Sequence, residues 1–519
     1  MARDVYIDGM AHQFSRRYLL RLSGIAAVAA GAGILAACGG GSAATNTPAA
    51  NTATSTIAGG VTAAATSVPT ASPKAAGASV VSPTGAASSS ATTGTASAAR
   101  VSIPTNTKAN GTVKFWHVWG GDRQPLIEKI IANFQTAAPG LKVEHTVLSQ
   151  QGLQEKYLTA IAGGQPPDVI MLVTRDLPSF ASRGALRGVD DLIQRDKLDV
   201  KGTFYAGDLA LSTYQSKLYG LPLTPGGGGN LVFWNKAIFK EVGLDPEKGP
   251  KTWTEFSDYA KKTTKGSGGN FDRIGSLFYV SDGNWFKVWA ANNAGELYSP
   301  DGLTVRFDAK ENVEALQYMY DNLNTLYGGY TKIRSFATEP GPGGGEGNQS
   351  FFQGKLAMHF SGVFHFLQLS KEAPNLQYGV TIFPYNDKNP AAKSVQFADG
   401  IWNYMLPKGV KNVDGAWELV KYFCAGQGQY DFFKAQGRPS MVPKFNEDPS
   451  YSKDNPNWPV VLQALQLTKA TPVTPVYPED QTILQQYTEG ALLNKQSPAD
   501  ALKAATADAQ KVHNEKLKS

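Results

Sequence analysis

One long stretch near the start of the chain restricts where a fold can form. Between Gly39 and Asn110 the residues are almost all Ala, Thr, Ser, Gly and Pro; Lys74, Arg100 and Lys108 are the only charges, and there is no aromatic residue. This composition cannot bury enough apolar surface to offset its conformational entropy. We therefore expect a disordered stalk, which leaves about 400 residues for a folded part with sizeable cores.

The residues before the stalk have the pattern of an export leader. Arg16 and Arg17 precede an apolar run, and this pair resembles the twin-arginine export signal. The run ends in Leu35-Ala36-Ala37-Cys38, which resembles the lipobox of bacterial lipoprotein precursors. The resemblance implies cleavage before Cys38 and lipidation of its sulfur, which gives an extracytoplasmic protein anchored to the membrane.

The alternative for this leader is a membrane-spanning helix. Residues 22–37 fall short of the roughly 20 apolar residues that a bilayer requires, and three glycines interrupt them. We therefore predict a signal peptide over residues 1–37, a lipidated cysteine with its stalk over 38–110, and a folded domain over 111–519.

Charge and cysteine content exclude two further possibilities. The part after Asn110 carries 42 basic and 41 acidic residues, without a basic cluster interleaved with aromatics, so we do not expect nucleic-acid binding. Cys424 is the only cysteine besides Cys38, which excludes an intramolecular disulfide once Cys38 carries lipid. Cys424 lies in an apolar helical pattern, and we expect a buried, unreactive thiol.

Strand and helix patterns alternate at the start of the folded part. The pattern predicts a strand at 112–119, a helix at 124–137, a strand at 141–148, a helix at 153–162 and a buried strand at 168–173. Such alternation predicts a doubly wound α/β lobe. The later chain is more helical: we predict helices at 252–265, 311–326, 414–424, 481–493 and 497–516, two of which begin with capping signals.

Short motifs in a fixed order extend over this whole region. They lie at 115–119, 139–144, 162–168, 219–222, 234–236, 251–255, 352–358, 361–362, 406–411, 416–418, 437–439 and 497–502. Together they resemble the extracellular solute-binding proteins of ABC importers, specifically family 1, which includes maltose-type and other carbohydrate-binding members. The resemblance extends from about Gly111 to the last residue.

The resemblance implies a two-lobe α/β fold, the type II periplasmic-binding-protein fold, with discontinuous lobes joined by crossover segments. We expect lobe 1 at about 111–224 and 397–437, and lobe 2 at about 225–396 and 438–519. The crossovers would lie near Thr224, Gln396 and Gly437. A sugar or oligosaccharide would bind in the cleft and be delivered to a membrane permease after hinge closure.

Candidate ligand contacts come from loops after strands, because ligands of open α/β sheets bind beyond the carboxyl ends of the strands. Carboxylates and guanidinium groups suit sugar hydroxyls, and aromatic rings suit the sugar face. The candidates are Trp119, Asp122, Arg123, Thr174, Arg175, Asn230, Asn284, Trp285, Phe364, His365, Asp399, Trp402 and Arg438.

Several candidates have structural alternatives. Trp119 can pack locally, and His365 more often belongs to a core than to a binding site. The glycine run 226–229 lacks the Lys and Ser or Thr of a phosphate-binding loop, so it favours hinge flexibility or close backbone approach to a ligand.

Other functions also remain open. A glycoside hydrolase can hide two separated carboxylates without a local motif, and the same fold can serve a surface sugar sensor or adhesin. The chain has no serine-hydrolase or zinc-protease motif, so we expect a non-enzymatic protein without cofactor or metal. Its expected partners are a carbohydrate or related small polar ligand, the transmembrane subunits of an ABC permease, and the membrane through its lipid; we expect a monomer.

Overall fold

The computed structural model describes residues 103, 105–279, 285–338 and 346–517, apart from the side chain of Asp122. The predicted leader, Cys38 and nearly all of the stalk lie outside the described residues, as does Asn284. All described residues belong to one compact unit.

The strands and helices of this unit follow in chain order. The strands are β1 Gly111–His117, β2 Leu141–Val147, β3 Val169–Val173, β4 Leu186–Arg187, β5 Thr213–Tyr214, β6 Lys217–Leu218, β7 Gly220–Pro222, β8 Leu231–Asn235, β9 Lys265–Ser267, β10 Asn270–Arg273, β11 Met358–Ser361, β12 Tyr378–Ile382, β13 Gln396–Ala398, β14 Trp402–Pro407 and β15 Thr468–Ala470. The α-helices are Gln124–Ala137, Leu153–Ala162, Leu177–Ser182, Asp190–Asp196, Val200–Thr203, Ala206–Leu211, Lys236–Glu241, Trp253–Thr263, Phe286–Ala291, Lys310–Tyr327, Arg334–Thr338, Asn348–Phe352, His365–Glu372, Val413–Cys424, Gln427–Lys434, Pro449–Asp454, Trp458–Gln466, Tyr477–Leu492 and Pro498–Lys516.

The first lobe is built on a six-stranded mixed sheet. Strand β1 pairs in parallel with β2 and β3, whereas β14 runs antiparallel to β3, β4 and β7. All of β3 is buried because its alternate side chains enter two cores: Val169 and Met171 on one face, Ile170 and Leu172 on the other. This explains why β3 is uniformly apolar in sequence.

The second lobe has a smaller sheet in which β8 lies between β11 and β12, antiparallel to both. Helices surround this sheet, and the core between them is strongly aromatic. Trp289 contacts Trp253 at 5.6 Å and Phe383 at 4.7 Å between ring centroids, both edge to face. Such ring pairs favour a single packing arrangement.

Three segments of chain pass between the lobes. The first follows β7 and contains the glycine run, and the second consists of β13 and the residues that lead into β14. After the helix Gln427–Lys434 the chain stays in the first lobe, because the apolar side chains of Met441, Val442 and Phe445 fill its core. It enters the core of the second lobe at Tyr451. We therefore place the third crossing between Phe445 and Tyr451, beyond the predicted Gly437.

One side chain joins the first two crossings. The Oε1 atom of Gln396 accepts hydrogen bonds from the N–H groups of Gly228 and Asn230, both at 3.1 Å. Its Nε2 donates to the Asn230 carbonyl at 2.9 Å. Strand β13 also pairs in parallel with β15, so the second crossing is held on both sides.

Several local predictions are confirmed. The helices Gln124–Ala137 and Leu153–Ala162 have the bounds that the sequence pattern predicts. The Ser497 hydroxyl caps the last helix by accepting from the Asp500 N–H at 3.1 Å. Cys424 is fully buried, and burial raises the pKa of its thiol. Within the described ranges, no helix combines the length and the apolar character that crossing a membrane requires.

Candidate functional site

The loops after β1 and β3 meet the second crossing at one edge of the first lobe. Gly400 lies against the end of β3: a Cβ atom there would be 2.8 Å from Cγ1 of Val173 and 3.3 Å from the backbone N of Arg175. Only glycine allows the crossing to pass so closely. The predicted contact residues Arg175, Asp399 and Trp402 are thereby brought to one place.

A buried group of polar side chains, which we call the Lys287 network, lies beside this crossing. It consists of Lys287, Asp399, Tyr477 and Gln481. The Lys287 ammonium donates to Oδ2 of Asp399 and, at 2.5 Å, to Oε1 of Gln481. The Tyr477 hydroxyl donates to the same Asp399 oxygen at 2.6 Å. The network therefore joins the second lobe to the crossing strand.

The first lobe reaches the Lys287 network through Arg175. Burial opposes ionisation of Asp399, but the charges of Lys287 and Arg175 and the hydrogen bonds outweigh it and hold the pKa of this carboxyl well below its usual range. The helix Tyr477–Leu492 contacts the turn Thr174–Asp176 of the first lobe. An ionised carboxylate thus lies between cations from both lobes.

A second group, which we call the arginine cluster, lies in the first lobe. The Arg123 guanidinium lies over the Trp119 ring at 5.1 Å, and the Arg438 guanidinium over the Phe433 ring at 5.4 Å. The Trp402 ring is 6.4 Å from Trp119, which places the cluster beside the second crossing. The pKa of Arg438 is lowered to about 9, mainly because the side chain is buried and to a smaller extent because Arg123 is positively charged.

Phe364 is one of two large apolar side chains that stay exposed in the described part of the chain, at 43% of its surface. It follows β11, and the adjacent Val363 N–H donates to the Gly228 carbonyl at 2.8 Å. The ring is therefore presented beside the glycine run of the first crossing. The role of Phe364 as a ligand contact stays a prediction.

Four predicted contact residues are buried in packing positions instead, which corrects their expected orientation. The Trp119 indole donates to the Tyr404 hydroxyl at 3.0 Å inside the first core. Trp285 stacks on Phe360 and Phe383 and is 8% exposed. The Trp285 ring faces apolar neighbours, whereas the Trp119 ring also carries the Arg123 guanidinium on one face.

The other two buried residues are Thr174 and His365. The Thr174 hydroxyl accepts a hydrogen bond from the Ile401 N–H at 2.9 Å, so it ties β3 to the second crossing. His365 has no exposed surface and stacks on Phe352, with Nδ1 2.9 Å from Gln368. The structural alternative noted for this histidine is the one observed.

The remaining candidates are placed as follows. Asn230 is buried at the first crossing, and its Oδ1 has no hydrogen-bond partner. The side chain of Asp122 and all of Asn284 lie outside the described residues.

The sequence analysis missed Lys287, Tyr477 and Gln481. Lys287 carried a signal, because it is the only charge in the apolar helix Phe286–Ala291, and a charge that is buried needs partners. Tyr477 and Gln481 gave no such signal, since their contacts depend on residues far away in the chain.

Two lobes joined by three crossings, with buried charged side chains where the lobes meet, are the architecture of a two-lobe binding protein. The model of the bacterial extracellular solute-binding protein family matches residues 129–460, and the chain belongs to this family. The predicted family resemblance and type II fold are thereby confirmed.

Solved structures and curated relatives are similar over most of the folded part. CpMnBP1, solved with mannotriose bound, is 24% identical, covers 77% of this chain and 99% of its own, and has a TM-score of 0.64. The sugar-binding protein MalE from Xanthomonas citri is 20% identical, covers 78% and 98%, and has a TM-score of 0.65. A binding protein of Brucella abortus (strain 2308) is 25% identical over 75% of this chain and 90% of its own length.

A fourth relative matches a shorter segment. The sn-glycerol-3-phosphate-binding periplasmic protein UgpB of Escherichia coli (strain K12) is 26% identical over 172 residues, which are 32% of this chain and 39% of the relative. The family and the structural neighbours are substrate-binding proteins rather than enzymes. They favour the binding function over the hydrolase alternative.

Proposed function

We propose that this chain is the substrate-binding lipoprotein of an ABC importer, which captures a sugar or oligosaccharide between its lobes and delivers it to a membrane permease. One observation carries the proposal: Arg175 from the first lobe and Lys287 from the second flank the Asp399 carboxylate of the crossing strand. Charged groups of this kind form strong hydrogen bonds with hydroxyl groups.

An exposed ring complements these charged groups. Phe364 is solvent-accessible beside the glycine run, and aromatic faces stack on the C–H face of a sugar. The ligands bound to structural neighbours, such as mannotriose in CpMnBP1, support the same class of ligand. The glycerol phosphate of UgpB extends that class to related polar ligands with an acidic group.

Binding would operate through closure of the two lobes. In the described structure the helix Tyr477–Leu492 already contacts the turn Thr174–Asp176 across the cleft. A ligand could replace these contacts with hydrogen bonds to its own hydroxyl groups. It would stabilise the closed form only to the extent that it binds the closed form more tightly than the open form. The permease would then recognise the closed protein.

Anchoring by Cys38 completes the proposal. A lipidated Cys38 and the stalk would hold a monomer on the outer side of the membrane, within reach of the permease. A Cys38→Ala protein should appear in the soluble fraction with unchanged ligand affinity. Retention of this variant on membranes after a high-salt wash would contradict lipid anchoring.

The test of function is ligand binding without chemical change. Tryptophan fluorescence of the purified protein, titrated with mannotriose and maltotriose, should reveal affinity of micromolar or better, about 8 kcal/mol. Small-angle scattering should show a smaller radius of gyration with ligand, and chromatography should recover the sugar intact. Cleavage products that grow with protein concentration would favour a hydrolase instead.

A further inference from the structure

Arg438 is a buried cation for which the described residues provide no carboxylate. Arg438 is only 9% exposed. Within the described ranges its Nε atom has no hydrogen-bond partner and its guanidinium group forms no ion pair. An unpaired charge away from water carries a large desolvation cost. Such a group requires an explanation.

Both lysines that are buried in the described part of the chain are paired. Lys421 lies 2.5 Å from Asp196 and 2.7 Å from Glu418, and Lys287 is paired with Asp399. The fold therefore supplies carboxylates to buried lysines in both lobes. The lack of a carboxylate beside Arg438 is therefore specific to the position of this residue.

A second positive charge increases the cost at this position. Arg123 is close enough that its charge lowers the pKa of Arg438, and the two residues are linked through the rings of Trp119, Phe432 and Phe433, with Trp119 and Phe432 5.3 Å apart. Two guanidinium groups that repel one another favour the binding of an anion between them. The aromatic rings exclude water, which strengthens that interaction.

The location connects the arginine cluster to the cleft. Arg123 belongs to the loop after β1, where ligands of α/β sheets bind, and Arg438 directly follows Gly437, whose φ of 61° turns the chain after the helix Gln427–Lys434. Trp402, at the start of β14, contacts the cluster from the crossing side.

We propose that Arg438 and Arg123 form a subsite for an oxyanion of the ligand, so that the captured molecule is an acidic sugar or polyol rather than a neutral oligosaccharide. This inference rests on the proposed function, because it assumes that the ligand occupies the cleft. The planar guanidinium group can bind a phosphate ester or a carboxylate through two parallel hydrogen bonds. Both groups supply the oxyanion that this subsite would bind.

The test compares acidic and neutral probes that share a sugar skeleton. Full-length protein is titrated with glucose 6-phosphate against glucose, and with digalacturonate against galactobiose, by calorimetry. We expect at least one acidic probe to bind about tenfold or more tightly than its neutral counterpart, since charge-assisted bonds are roughly twice as strong as neutral ones. The phosphate and uronate arms identify which oxyanion is preferred.

Variants assign the preference to the cluster. Arg438→Gln should remove the preference for the acidic probe, whereas Arg438→Lys should keep part of it. Arg187→Gln is the matched control, because Arg187 pairs with Asp191 on the surface of the same lobe; it should bind both probes as the parent does. If Arg438→Gln does not fold, Arg123→Gln serves instead, since Arg123 is only partly buried.

The outcomes separate the inference from the proposed function. Equal affinity for acidic and neutral probes, or an unchanged preference in a folded Arg438→Gln protein, would overturn the oxyanion subsite while leaving sugar binding intact. Absence of binding for every acidic and neutral probe would count against both.

Discussion

The Lys287 network and the arginine cluster each bury a cation beside the second crossing, yet they differ in how that charge is compensated. Lys287 has a carboxylate, a hydroxyl and an amide around it, all supplied by the protein. Arg438 has a ring below it and another cation nearby. The comparison teaches that the protein itself compensates the charge of Lys287, whereas the described residues supply no carboxylate to Arg438.

The largest expected effect comes from breaking the complete network. Lys287→Met leaves the Asp399 carboxylate buried without its cation, which costs about 3–5 kcal/mol for a buried pair. Urea unfolding followed by circular dichroism measures the loss. The double variant Lys287→Met/Asp399→Asn should recover most of it, because no buried charge is left alone. A single variant as stable as the parent would show that the network does not support the fold.

Asp208 extends the comparison to a buried anion without a counter-ion. It has no exposed surface, and its Oδ1 accepts one hydrogen bond from the Gly226 N–H at 2.9 Å. Among the residues that the structure describes, its Oδ2 has no hydrogen-bond partner. Burial raises its pKa to about 7. The folded state then binds a proton more tightly than the unfolded state, so its contribution to stability is present below about pH 4 and is lost as pH rises towards 7.

Asp208→Asn should therefore be more stable than the parent at pH 8, by up to about 4 kcal/mol, because the pKa rises by roughly three units and each unit corresponds to about 1.4 kcal/mol. The gain should shrink as pH falls towards 4. The amide oxygen can still accept from Gly226. Melting curves of both proteins between pH 4 and 8 check this, and curves that stay parallel over the whole range would contradict the charge penalty.

Arg438→Met should have the opposite sign to Lys287→Met in the protein without ligand. It removes an uncompensated charge while its thioether keeps contact with Phe433, so stability should stay equal or rise by about 1–3 kcal/mol. The same urea unfolding assay applies. A loss of several kcal/mol would place Arg438 among the residues that the fold itself needs.

The smallest effect on stability is expected at the exposed ring. Phe364→Ala should change the free energy of unfolding by less than about 0.5 kcal/mol, and weaken sugar binding by about 0.5–1.5 kcal/mol through lost stacking. Leu303→Ala is the matched control, because Leu303 is 52% exposed and lies in a separate turn. Equal sugar affinity in both variants would remove Phe364 from the binding surface.

Sequence patterns predicted elements better than side-chain directions. The helix Gln124–Ala137 and strand β3 were predicted closely because each repeats its apolar spacing over its whole length. Trp285 was predicted as a ligand contact, but local spacing does not tell which way a ring at a helix start will point. The structure turns it towards Phe360 instead.

The sequence indicated which loops would form the site, but not which side chains would contact one another there. Asp399 was a candidate, but its pairing with Lys287 joins positions 112 residues apart, and no local pattern encodes such a distance. For Arg438, the sequence indicated a residue near a crossover without showing that it would be buried and unpaired. These properties arise from tertiary packing, which a single sequence read locally does not contain.

The Gln396 amide has a mechanical consequence. By bonding to Gly228 and Asn230 it fastens the first crossing to the second, so neither can bend without carrying the other. We therefore expect the first two crossings to move together when the lobes open. Spin-label distances measured across the cleft at several positions should therefore change in a fixed proportion, as expected for rotation about a single hinge axis.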